Sequence, residues 1–93
     1  MKTQPGDNQD NVLFISLISQ FNTSALIGLG KVENPVTQKR EKNLEQAKYS
    51  IDILTMLAEK TRGNLNTEEQ QVLQKILTER RLDYLRETQG AVG

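Results

Sequence analysis

Glu45, Asp52 and Glu59 recur at every seventh position, a spacing that sets three carboxylates along one side of a helix. Grouped carboxylates can divide acid and base roles or hold a hard divalent cation. Lys48 and Thr55 stand among these three, and the 93-residue chain contains no histidine and no cysteine. The acidic series therefore reads as a solvated helix face. The two absences also remove imidazole bases, thiolate nucleophiles, disulfides and the usual zinc ligand sets together. A protein without enzymatic activity is expected, with no catalytic residue, no metal and no cofactor.

The cations offer a different chemistry. Lys39, Arg40 and Lys42 cluster in one short stretch and, with Arg81, make a candidate basic patch for a phosphate or an RNA backbone. Twelve basic side chains are cancelled by twelve acidic ones, so no broad field steers a polyanion toward the surface. Nucleic acid is not the expected partner, and an RNA- or phosphate-binding accessory role through those four residues is the alternative reading. The opening MKTQPGDNQDN carries Asp7 and Asp10 ahead of the first apolar run, opposite to a secretory signal, which points to the cytoplasm.

Which elements position these groups follows from the apolar pattern. No ionised side chain lies between Val12 and Gly30. The length suits a bilayer, but Ser16, Ser19, Gln20, Asn22, Thr23 and Ser24 would all need partners in lipid, and no aromatic belt flanks the run. At about 100° per residue, Phe14, Ile15, Leu17, Ile18, Phe21, Ala25, Leu26 and Leu29 fill one half of a helix, with Ser16, Ser19, Gln20, Thr23 and Ser24 opposite. The spacing predicts a broad-faced amphipathic helix over Asn11–Leu29, stopped by Gly30 in the left-handed conformation. A membrane span is not expected; peripheral membrane association through this helix is a second alternative.

A long connection, residues 30–42, places Pro35 in a turn and precedes a second helix over Asn43–Thr61. The connection either returns the chain alongside the first helix or lets that helix pack on a neighbouring subunit. On the second helix, Leu44, Ala47, Ile51, Leu54 and Ala58 alternate at steps of three and four, the seam of a shallow helix crossing. Tyr49, Ile53 and Met56 form a separate stripe. Gly63, then Leu65, then either Thr67 with Gln70 or Asn66 with Glu69 as a capping box, marks a tight helical hairpin. The third helix, Glu68–Glu87, should bury Val72, Leu73, Ile76, Leu77 and Tyr84, leaving Leu82 and Leu85 on other sides. The fold class is all-α: helices 2 and 3 form a tight antiparallel hairpin and helix 1 packs across it. Residues 11–88 make one domain between disordered tails, 1–10 and 89–93.

Two residues break the pattern. Asn22 falls inside the apolar arc of the first helix, where an unpaired amide would cost roughly 1 to 3 kcal/mol, so it requires a partner. That partner is another helix, including a second copy where Asn22 would fix register, or else nearby backbone or water. Arg80 lies among Leu73, Ile76 and Tyr84 and must either extend its head to solvent or pair with a carboxylate; solvent is expected. Ser24 and Gly28, one turn apart, leave room for a second backbone to approach.

The first two helices carry more apolar circumference than one three-helix unit has neighbours to cover. Such a surplus marks a binding surface, and a second copy is the simplest partner. A self-associating protein-interaction module is expected, a homodimer or higher assembly that also presents surface to another protein. Its candidate interface is Phe14, Ile18, Phe21, Asn22, Ala25, Leu29, Tyr49, Ile53 and Met56.

The run FISLISQFNTSALIGLG, the NPVT turn, LEQAKYSIDILTMLAEKTRGNLNTEEQQVLQKIL and RRLDYL together resemble a small bacterial family catalogued only as a domain of unknown function. The likeness spans residues 14–86. It implies a short, all-helical, cytoplasmic bacterial protein with no assigned activity or catalytic residue. TQKREK departs from the more acidic, glycine-containing turn of that family, so no role carried by the loop transfers.

Overall fold

Three sets of start and stop signals produce three helices in the structure, a computed structural model that describes residues 8–89. Helix α1 is Asn8–Gly28, α2 is Leu44–Lys60 and α3 is Thr67–Thr88. No strand occurs among the described residues. The first helix starts three residues earlier than expected, so Asn8–Asp10 form its first turn; residues 1–7 and 90–93 lie outside the described range.

Local chemistry explains each end. Gly30 has φ +77, and two hydrogen bonds close the α1 terminus around it: the Gly30 N–H donates to the Ile27 carbonyl at 3.0 Å and the Lys31 N–H to the Leu26 carbonyl at 2.9 Å. This double bond pattern needs a left-handed residue, which glycine adopts without a Cβ penalty. Asn43 caps α2, its Oδ1 accepting the Gln46 N–H at 3.1 Å. Of the two possible boxes at α3, the one formed is Asn66 with Glu69: Asn66 Oδ1 accepts from the Glu69 N–H at 2.8 Å, and Glu69 Oε1 accepts from the Asn66 N–H at 3.0 Å. That reciprocal pairing lets Glu69 be buried.

The helices run up, down, up. Ile18 and Ala25 of α1, Ile51 and Leu54 of α2, and Leu73 and Leu77 of α3 form the shared core, with Phe14, Ile15, Phe21, Val72, Ile76 and Tyr84 packed around it. Against α2, α1 comes unusually close. A Cβ added to Gly28 would sit 2.7 Å from the Ala47 nitrogen and 2.8 Å from the Asn43 carbonyl oxygen, so only glycine fits. One turn earlier the Ser50 hydroxyl, fully buried, donates to Ser24 Oγ at 2.9 Å. Against α3, Asn11 meets Asn66 and Glu68 at one end and Asn22 meets Arg80 farther along, so α1 and α3 are parallel.

The long connection returns the chain beside α1 within the same molecule. Its ends meet, because the Asn43 N–H donates to the Gly28 carbonyl at 2.8 Å. Between them the chain makes a closed excursion, turned at Asn34, whose Oδ1 accepts the Val36 N–H at 2.8 Å, and at Gln38, with φ 60. Both legs reach α3: Lys31 Nζ lies 3.8 Å from Asp83 Oδ1, and Lys42 pairs with Glu87.

Candidate interaction surfaces

The nine residues expected at an interface divide into three apolar groups and Asn22. Ile18 and Ala25 are 0% exposed and Leu29 is 1% exposed within a single chain. These three face their own core, which corrects their assignment to a contact surface. The error has a plain cause: angular position measures how much of a helix is apolar, but not how much of it its own neighbours cover. Phe14 and Phe21 are half-buried against the same core. Tyr49, Ile53 and Met56 do lie outward, Tyr49 at 63% and Met56 at 40% exposure, with Ile53 half-buried.

Asn22 has its partner inside the chain. Arg80 Nη1 donates to Asn22 Oδ1 at 3.0 Å, and this contact ties α1 to α3. The expectation that Arg80 reaches solvent is overturned, since its side chain is only 13% exposed and its Nε lies 3.2 Å from Asp83 Oδ2. Asp83 was not singled out by its sequence position. It is nevertheless the centre of a charged cluster, with Lys31 and Arg86 nitrogens each 3.8 Å from its Oδ1. Arg80 Nε and Asp83 Oδ2 are close but not aligned as a hydrogen bond, and neither atom has a hydrogen-bond partner among the described residues. Their attraction is ionic, in a site dry enough for it to matter. The available signal was an acid three residues after a buried arginine on one helix face.

Two outward apolar stripes run along α1 and α2, and at the hairpin end Leu13 and Leu17 also line a groove with Thr61, Asn64, Leu65 and Glu69. On α1, Leu13, Leu17, Gln20 and Ser24 follow one another at helical spacing; on α2, Gln46, Tyr49, Ile53, Met56 and Lys60 do the same. Gln46 Nε2 donates to the Ser24 carbonyl at 3.1 Å and lies 3.4 Å from Ser24 Oγ, which joins the stripes at one end. Counting outward along the antiparallel pair brings Leu17 level with Ile53, and Leu13 level with the turn after Met56. Leu13 is 59% and Leu17 38% exposed. Leu13 is a member that the sequence pattern did not reveal. Together these side chains leave roughly 400 Å² of apolar surface in water, the size at which a patch on a monomer usually has a function.

The four basic residues do not gather. Lys42 is engaged by Glu87, and Arg81 donates to Thr55 Oγ1 at 2.8 Å on the α2 side of α3. Lys39 and Arg40 stay exposed on the loop. The acidic series is likewise broken up, with Asp52 bound to Lys48 Nζ at 2.8 Å. That hydrogen bond, reinforced by the charge attraction, raises the Lys48 pKa. Among the described residues no three acidic side chains converge on a metal position. Residues 9–28 are long and apolar enough to cross a membrane by length and composition. In this fold the same segment carries Asn22 against Arg80 and Ser24 against Ser50.

A family profile matches residues 11–86, from the first turns of α1 to the last turns of α3 and including the closed loop. The chain belongs to DUF1844, a domain of unknown function. The DUF1844 match agrees with the resemblance drawn from the helix sequences, and it brings no activity with it. No curated protein and no solved structure is detectably similar to the chain.

Proposed function

We propose that this protein is a non-enzymatic, cytoplasmic interaction module that self-associates through the α1–α2 face. The observation that supports the reading is the set of outward apolar side chains, Leu13 and Leu17 on α1 with Tyr49, Ile53 and Met56 on α2, left in water although Ile18, Ala25, Ile51 and Leu54 of the same helices are enclosed. A second copy is the occupant that fits best. The middle of the strip, Leu17, Tyr49, Ile53 and Met56, carries no charge, and Asp10 and Lys60 lie toward its hairpin end, so two copies related by a two-fold axis can face each other without opposing like charges at the centre. Pairing two α1–α2 layers in this way would make a four-helix contact of ordinary crossing geometry. The apolar strip is about half of what a standard partner surface of ~800 Å² requires. Ser16, Gln20 and Glu45, which flank it, supply a polar rim of the kind such contacts have.

Light scattering and sedimentation over a micromolar concentration series test the reading. The expected result is a dimer or higher assembly that Tyr49→Glu with Leu17→Glu converts to a monomer of unchanged helix content. A wild-type monomer throughout the series would overturn it. Capture by anionic vesicles, lost in the same variant while the protein stays monomeric, would reassign the face to a membrane surface.

A further inference from the structure

A separate groove opens between α2 and α3, at the end of the hairpin away from the Gly63 turn. It has a volume of about 420 Å³, within the range of small-molecule sites. Its floor is apolar, made by Ile51, Tyr84 and Leu85. Its walls are cationic on both sides. Lys48 stands on α2, and Arg81 reaches over from α3, spending one of its five N–H donors on Thr55. Asp52, the one carboxylate among the described residues lining the groove, is held by Lys48.

We infer that this groove binds a small amphipathic anion: a carboxylate or phosphate monoester head between Lys48 and Arg81, with a short unbranched hydrocarbon tail along Ile51, Tyr84 and Leu85. The charge count selects the head. Among the described lining residues two cations stand against one carboxylate, which leaves net positive charge, and the open guanidinium fork matches a planar or tetrahedral oxyanion. The floor selects the tail, because an inorganic anion would leave that apolar surface wet. This site uses none of the residues of the α1–α2 stripes, so it stands independently of self-association.

Amide-resolved NMR titration of the full chain with decyl phosphate, decanoate, decylamine and inorganic phosphate tests the inference, with each amphiphile kept below its micelle concentration. Saturable shifts at Ile51, Tyr84 and Leu85 are expected with both anionic amphiphiles. Arg81→Gln should weaken them by about 10-fold, the worth of one charge-assisted contact, while Lys39→Gln leaves them unchanged. Leu85→Ser, at an exposed position, should shorten the preference for a tail without unfolding the chain. Equal binding of decylamine, or shifts confined to the Leu13–Leu17 and Tyr49–Met56 stripes, would overturn it. Response only to anionic vesicles, and to none of the free amphiphiles, would overturn it as well.

Discussion

Arg80 shows how much a single side chain can organise. It joins Asn22 of α1 to Asp83 of its own helix in a site only 10–13% exposed at the two charged side chains. Removing Arg80 leaves Asp83 with only its longer contacts to Lys31 and Arg86 and takes the donor from Asn22 Oδ1, so Arg80→Ala should lower the unfolding free energy by about 3 kcal/mol, read from the urea midpoint. Arg86→Ala, which removes an arginine 70% exposed and equally charged, should change it by less than about 0.5 kcal/mol. Similar losses from both would mean that Asp83 is solvated after all. Gly28 gives a reversal of sign. Glycine to alanine inside a helix normally stabilises by ~1 kcal/mol, whereas Gly28→Ala drives a methyl into the α2 backbone and should destabilise by about 2 kcal/mol or more. The sequence flagged Asn22 and Arg80 as separate anomalies. Their meeting was not legible, since it depends on the relative register of two helices far apart in the chain. Ser50 escaped notice for a related reason: its hydroxyl is acceptable in the seam only because Ser24 is there to accept from it.

At the scale of elements, the helices were the most legible part, because their ends are set by chemistry confined to a few neighbouring residues. Gly30 and Gly63 both take the left-handed conformation expected of helix stops, and α2 and α3 begin and end within a residue of their anticipated limits. The hairpin and the buried set Leu73 and Leu77, with Leu82 and Leu85 exposed, also follow directly from spacing. The cap at α3 was one of two equivalent options on paper. Its resolution predicts a difference: Asn66→Ala should cost about 1 kcal/mol in thermal or urea unfolding, and Thr67→Ala less than about half of that. The shape of the loop could not be read at all. Nothing in KVENPVTQKREKN states that its ends will meet, a fact created by Gly28 fitting against Ala47 and Asn43.

For the whole molecule, the sequence pattern indicates that α1 and α2 carry surplus apolar surface, but it divides inside from outside incorrectly and leaves out Leu13. Ile18, Ala25 and Leu29 went to the core; Leu13, Leu17, Tyr49 and Met56 remain outside. An assembly held by those four should persist as salt is raised from low to near-molar concentration, because apolar contact is not screened, whereas one built on the scattered cations would dissociate. Sedimentation at the two ionic strengths distinguishes them. The joined ends of residues 29–43 carry a last implication. Since the last turn of α1 and the first of α2 are stitched to each other directly, the covalent chain between them is not what keeps them together. A trypsin cut after Lys39 or Arg40 should yield two fragments that migrate as one folded species, and the same position should accept an inserted peptide tag.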